Sequence, residues 1–435
     1  MTMLLNELWG SDNEKKLKEF EDAKCIVKRE GTSRLVNIPV KHYSQWKKLK
    51  LRREQTFLAG KLVPRSLFVS VVSQYDAFLG KLLRIIFLGR PELLVASKRE
   101  ITFSELVQFG SIDIARDHII EKEIDSVLRM SHVEQFKWME NRFEVKLTKF
   151  ESWPTFVELT QRRNLFVHVD GIVSKQYLSE CAKANCEIEK GLKEGNLLRV
   201  SGKYYDTACS CVLEVGIKLA TVLWRKLFPD ELREAGSSVN ELTFDLIERK
   251  KFQLAISLLR FAVSFPKHSD ESQRLRMVVN LAQAYKWNDQ LAESLDVLDG
   301  EDWSAVGDEF KLAEAVLRSD WTRAFRFMRR IGTGGAIQSL DYRDWPVFQE
   351  FRLQPKFGEV YQEIFGEPFP ATIESEPNIS INTGELEPIK PIASRTIKTS
   401  DTKQSFSETK EVSPVSKQST KRLQPQARLR RDDPK

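Results

Sequence analysis

Apolar positions recur at helical spacing along most of the chain. Between Pro64 and Leu88, Leu67, Val71, Tyr75, Phe78, Leu82, Ile85 and Ile86 fall three or four residues apart. That spacing predicts one strong helix, with Pro64 in a first turn that tolerates it and Gly89-Arg90-Pro91 as its stop. Ile119, Ile120, Ile124, Val127 and Leu128 form the inward face of a second helix over Asp113–Met130. Thr102 or Ser104 can open the segment before it. Ser131 and Glu134 have capping-box spacing ahead of Phe136, Met139 and Phe143. Ser152 and Pro154 suit the start of a helix that runs to His168 with Phe156, Leu159, Phe166 and Val167 buried, and Asp170-Gly171 suits its end. Further helices are expected over Ile172–Lys190 and Tyr204–Phe228. No alternating strand pattern appears, so residues 63–235 read as an all-α helical bundle.

The flanks differ. Residues 1–62 read as a basic helical extension: a charged helix over Asp12–Lys28, a short extended piece at Leu35–Val40, and a helix over Lys41–Leu58. The last carries Lys41, Lys47, Lys48, Lys50, Arg52 and Arg53 interleaved with Tyr43 and Trp46. Basic residues beside aromatics suit phosphates and bases, although a solvated amphipathic face is the simpler reading. Gly236-Ser237-Ser238 marks the expected boundary of a second domain, 236–368. There Leu242, Leu246, Phe252, Ala255, Leu259 and Ala262 have spacings resembling a tetratricopeptide repeat. Leu275–Leu298 and Glu309–Met328 repeat the helical pair, and Trp345–Phe365 closes the array. Gly332-Thr333-Gly334-Gly335 lacks the lysine of a phosphate loop and reads as a connector. Residues 369–435 turn to Ser, Thr, Pro, Glu and Lys, a composition expected to stay disordered, with Lys421, Arg422, Arg428, Arg430 and Arg431 near the end.

Composition adds modest constraints. The 435 residues carry 68 Lys and Arg against 62 Asp and Glu, a net +6, which permits an anionic partner. Five cysteines argue against a secreted disulfide framework. The spacing of Cys181, Cys186, Cys209 and Cys211 does not match paired zinc ligands, and buried helical thiols are expected instead. The N-terminus lacks the pattern of a signal peptide. Ser66–Leu88 contains Asp76, Lys81 and Arg84, so a core helix is expected rather than a span. Together these predict a cytoplasmic protein, with no cofactor and no membrane partner.

One stretch concentrates chemistry: Arg163-Asn164-Leu165-Phe166-Val167-His168, late in the Ser152–His168 helix. RNA cleavage by internal attack of the 2′-hydroxyl needs one proton removed, one delivered, and charge stabilised on the phosphorane. Histidine titrates near neutrality and suits the proton transfers. Arginine offers a planar donor fork to phosphate oxygens. Asn164 and His168 are four apart and share a helix face. Arg163 lies about 140° round an ideal helix from His168, and the spacing leaves Arg162 as an alternative. A helix end also favours a cation, so a capping role for His168 stays open. His42, His118, His132 and His268 stand isolated in the sequence.

This stretch resembles the Arg, polar residue, spacer, His motif of HEPN (higher eukaryotes and prokaryotes nucleotide-binding) domains. The continuation Val169-Asp170-Gly171-Ile172-Val173, on a late helix of an all-α bundle, fits the resemblance, which covers roughly residues 64–228. It implies a metal-independent endoribonuclease acting on RNA as a homodimer, of the kind found among toxins and antiphage-defence effectors. It further implies Arg163 and His168 as catalytic residues, with Asn164 accompanying them. The tetratricopeptide-like region would then hold a protein partner. The contrasting expectation is a non-catalytic interaction protein in which both helical regions are scaffolds.

Overall fold

A computed structural model describes residues 2–30, 33–95 and 100–369, with side chains described for 12–28, 35–95 and 100–369. The all-α expectation holds: a single antiparallel hairpin is the regular sheet among these residues. Helix α1 (Thr2–Lys24) leads into β1 (Ile26–Glu30) and β2 (Ser33–Asn37), which pair in register from Ile26 with Asn37 to Glu30 with Ser33. The first helix therefore stops at Lys24, short of the expected Lys28, where Ile26-Val27 brings β-branched residues into a strand. Pro39 ends no strand; it stands at the N-cap of the next helix.

That helix, α2 (Val40–Gly89), is 50 residues long and carries Pro64 inside it. The sequence reading breaks it into two. Proline fixes a φ that a helix already uses, and its missing N–H leaves only the Gly60 carbonyl without an intrahelical donor, so the helix continues through it. Its outer half pairs with α1. Its inner half is core, with Phe68, Val72, Leu79 and Leu83 fully buried. The buried stripe is offset by one position from the Leu67, Val71, Phe78, Leu82 stripe that periodicity suggests. The segment is apolar on more than one side, which fixes a helix but not its rotation.

Of the helices α3 (Phe103–Phe109), α4 (Ile112–Leu128), α5 (His132–Phe143), α6 (Trp153–His168), α7 (Lys175–Lys183) and α8 (Gly202–Leu227), α4, α6 and α8 pack on α2, α3 packs on α4, α7 on α6, and α5 against α4, α6 and α8. The expected Ser131–Glu134 capping box forms, and Thr102, one of the two expected openers, starts α3 in a capping box with Glu105. Ser152 makes no side-chain cap on α6. The helix expected over Ile172–Lys190 shrinks to α7: Ser174 caps its start, Asn185 takes a left-handed φ of 53°, and Ile172 bridges to Leu197 in extended backbone. By length and composition α2 and α8 are apolar enough to cross a membrane. Here they supply core residues, including Leu79, Val215, Leu219 and Leu223.

Three helical hairpins follow: α9 (Leu232–Glu248) with α10 (Phe252–Val263), α11 (Glu271–Trp287) with α12 (Leu291–Asp299), and α13 (Asp308–Leu317) with α14 (Trp321–Ile331). The turns repeat one geometry. Lys250, Asp289 and Ser319 have φ of 57°, 60° and 59°. The next residue in each turn donates its N–H to a carbonyl five residues back, Lys251 to Leu246, Gln290 to Tyr285 and Asp320 to Ala315, at 2.8, 3.0 and 2.8 Å. Gly236-Ser237-Ser238, expected at a domain boundary, lies inside α9. A Cβ on Gly236 would come within 2.1 Å of Gln273 Oε1, so this glycine serves close helix packing. Short helices α15 (Ser339–Asp344), α16 (Gln349–Arg352) and α17 (Phe357–Phe365) close the array. Phe369 packs on Phe357 and Tyr361. The rest of the expected disordered tail, with its basic end, lies outside the described residues.

Candidate active site

Helix α6 places the motif. Its buried side holds Phe156, Val157, Leu159, Leu165 and Phe166 against the bundle core. Its end is closed by Val169 and Gly171, whose N–H groups both donate to the Leu165 carbonyl at 2.9 and 3.0 Å. Asp170 and Gly171 take φ of 57° and 83°. A Cβ on Gly171 would also meet Phe166 Cε1 at 2.7 Å. The Arg65 guanidinium donates to the Asp170 carboxylate and to the Phe166 carbonyl, tying α2 to the end of α6. That hydrogen bond first, and the Arg65 charge after it, hold the Asp170 carboxyl below its usual range.

Arg163, Asn164 and His168 line one polar cleft of about 530 Å³. Asp76 of α2, the corner from Leu128 to His132, and Ser174, Gln176 and Tyr177 around α7 complete its walls. The 140° between Arg163 and His168 is therefore no obstacle: both reach the same cleft. Arg162 does not. It is 4% exposed, donates from Nε to Glu158 Oε1 at 2.7 Å, and lies 4.0 Å from the centre of the Tyr204 ring.

Asp76 joins the site. Arg163 Nη2 donates to Asp76 Oδ2 at 3.1 Å, and His132 Nε2 lies 2.9 Å from Asp76 Oδ1. An Nε2–H on His132 donates to that carboxylate and fixes the ring. Tyr75 and Phe156 wall the imidazole at 5.9 and 5.8 Å between ring centres. His132, isolated in the sequence, is thus the buried partner of a carboxylate at the motif. Arg163 Nε is buried with no partner among the described residues. His168 stands exposed on the last turn of α6, and no described side chain hydrogen-bonds it.

Behind the cleft runs a buried polar network. Glu158 accepts from Tyr177 Oη at 2.6 Å and Tyr204 Oη at 2.7 Å as well as from Arg162. Burial, then the Glu158 charge, pushes both phenols well above their ordinary range. Tyr177 belongs to both the network and the cleft wall, so the wall is anchored from behind.

Asp76 and His132 are residues whose place at the site sequence reasoning misses. Asp76 is 87 positions from Arg163, and no local spacing connects them. The signal was a lone carboxylate on the apolar helix. His118 packs against Phe109 with ring centres 4.9 Å apart and planes tilted by 42°, away from the cleft lining. The cysteines are free thiols, buried or half-buried, and no group of three or more metal-binding side chains occurs among the described residues.

The arrangement offers a guanidinium fork held by a carboxylate, a neighbouring amide, and an exposed imidazole at the cleft mouth. Such a set can bind an anionic oxygen at Arg163 and exchange a proton at His168. No family model, curated protein or solved structure matches this chain, so the functional reading rests on these side chains.

Proposed function

We propose that the cleft is the site of a cytoplasmic HEPN-type endoribonuclease that cuts RNA without a metal. The observation that carries the reading is the convergence of Arg163, Asn164 and His168 on one polar cleft, with Asp76 fixing the Arg163 fork. In this reaction His168 takes the proton of the 2′-hydroxyl, and the 2′-oxygen attacks the adjacent phosphorus. Arg163 stabilises the charge gathered on the phosphorane oxygens. The 5′-oxygen leaves with a proton, giving a 2′,3′-cyclic phosphate and a 5′-hydroxyl. A second copy of the chain, paired across a two-fold axis, would bring the second His168 for that proton. A toxin or antiphage-defence role follows from the same resemblance.

The test uses purified protein and mixed RNA in chelator. Fragments ending in 2′,3′-cyclic phosphate are expected, and His168→Ala should abolish them while leaving the helical content intact. Undiminished cleavage by the His168→Ala protein overturns the proposal.

A second reading is an interaction protein, and one feature favours it. The helical hairpins enclose a groove of about 520 Å³ with an apolar floor that includes Val279, Phe310 and Val347. Gln283 lines it, is 2% exposed, and has no partner for its amide nitrogen among the described residues. Intact RNA together with co-purification of one stoichiometric protein, lost in a Gln283→Leu variant, would favour this reading.

A further inference from the structure

Helices α1 and the outer half of α2 form an arm with little core of its own. They run antiparallel: Asn13 Nδ2 donates to Thr56 Oγ1 at 2.9 Å, Trp46 Nε1 to Glu21 Oε1 at 2.9 Å, and Phe20 meets His42 at 6.2 Å between ring centres. Within 12–28 and 35–63, only Leu17 and Glu21 are buried. Hydrophobic packing therefore does not explain why the outer half of α2 is kept as a long helix.

Its charge is one-sided. Between Val40 and Val63 there are seven Lys and Arg against a single acid, Glu54. Glu54 pairs with Lys50 at 3.8 Å, and Glu14 of α1 pairs with Arg53 at 3.8 Å. Lys41, Lys47, Lys48, Arg52 and Lys61 have no carboxylate within ion-pair distance among the described residues. Flat apolar groups stand between these cations: Tyr43 is 51% and Phe57 78% exposed. Tyr43 stacks on Trp46, and Lys50 lies over the Trp46 ring at 5.1 Å.

Tyr43, Lys47, Lys50, Glu54, Phe57, Lys61 and Arg65 follow one another at three- and four-residue steps, so they form a stripe about 33 Å long. The stripe ends beside the candidate active site. Phe57, Lys61 and Arg65, with Arg199, line a hollow of about 440 Å³ whose far wall is Phe166 and Asp170. Asp170 is two residues beyond His168. On the stripe Lys47 and Lys61, without acidic partners within ion-pair distance among the described residues, stand beside the exposed rings of Tyr43 and Phe57, a set that suits a backbone of phosphates with unstacked bases. Along the stripe itself Lys47, Lys50, Lys61 and Arg65 interrupt the exposed rings, so its face is charged rather than apolar.

We infer that this stripe docks single-stranded RNA and leads it across the hollow to the cleft, an inference that rests on the ribonuclease reading for its direction but not for its binding step. The phosphates meet Lys47, Lys50 and Lys61. The bases stack on Tyr43 and Phe57.

Binding is measured on full-length His168→Ala protein, so that the RNA survives, by anisotropy of a labelled 20-nucleotide unstructured RNA across a salt series. Lys47→Glu, Lys50→Glu and Lys61→Glu together should weaken binding by about tenfold or more. They should also reduce the slope of log affinity against log salt by about 2, since each lost phosphate contact on a single strand removes about 0.7. Phe57→Ala should weaken binding without changing that slope. Should the triple reversal cost helicity by circular dichroism, the corresponding Gln replacements provide the same comparison. Unchanged affinity and slope overturn the inference, as does loss of binding to anionic lipid vesicles with RNA binding retained. RNA bound through the stripe but left intact by the native sequence would instead defeat the ribonuclease reading and leave this one standing.

Discussion

The Glu158 network makes a quantitative prediction. Replacing Glu158 with Gln keeps the volume but removes the charge that three donors share, at 2.7 Å from Arg162 Nε, 2.6 Å from Tyr177 Oη and 2.7 Å from Tyr204 Oη. The other carboxylate near Arg162 is Glu189, 3.7 Å away and itself 66% exposed. Removing one partner of a buried ion pair costs about 3–5 kcal/mol, and the retained acceptor oxygen places Gln near the lower end, about 3 kcal/mol. The described residues belong to one compact unit. At about 2.1 cal/mol/K of unfolding entropy per residue, 3 kcal/mol lowers the melting temperature by about 4 °C if roughly 370 residues unfold together. If the bundle melts separately, over roughly 165 residues, the drop is about 9 °C. Calorimetry of the native and Glu158→Gln proteins measures both the shift and the number of transitions. Tyr204→Phe, which removes one donor and leaves the ion pair, should cost about 1 kcal/mol. A Glu158→Gln protein that melts within a degree of the native one refutes the network as a stabilising element.

Three further outcomes are expected. Tyr177 and Tyr204 have raised folded-state pKa values; their contribution is complete below the unfolded value near 10 and is lost progressively above it, so the unfolding free energy from denaturant titrations should fall as pH rises past about 10, by about 1.4 kcal/mol per unit for each phenol. Asp76→Asn removes the charge that holds both Arg163 and His132; on the proposed function, RNA cleavage should fall by about tenfold to a hundredfold, the rate equivalent of about 1.5–3 kcal/mol, with the helical content unchanged. Gly236→Ala drives a methyl group into Gln273, which is fixed by its bond to the Arg233 carbonyl at 2.8 Å. It should destabilise the chain by about 1–3 kcal/mol in a denaturant titration.

Local chemistry was legible in the sequence where one short stretch determined it. The Ser131 and Glu134 pair capped α5 as its spacing predicted, and Ser201 opened the last bundle helix. Proximity in the chain also put Arg163, Asn164 and His168 at one end of α6. What misled were residues whose role depends on context. Pro64 is a starter by preference, yet α1 runs alongside the outer turns of α2 and the helix continues through it. Gly236-Ser237-Ser238 has linker composition, but the glycine is needed because Gln273 approaches it. Asp76 and His132 could not be joined to Arg163 from the sequence, because only the packing of α2, α5 and α6 brings them together.

The three hairpin turns have a consequence for how this array can diverge. Each closes with the same main-chain hydrogen bond, and each places an ordinary side chain, Lys250, Asp289 or Ser319, in the left-handed region. No particular residue is required there; selection need only avoid proline and β-branched side chains. The connections can therefore lose all resemblance to one another in letters while keeping the same path. The repeat persists in the course of the backbone after it has faded from the amino-acid text.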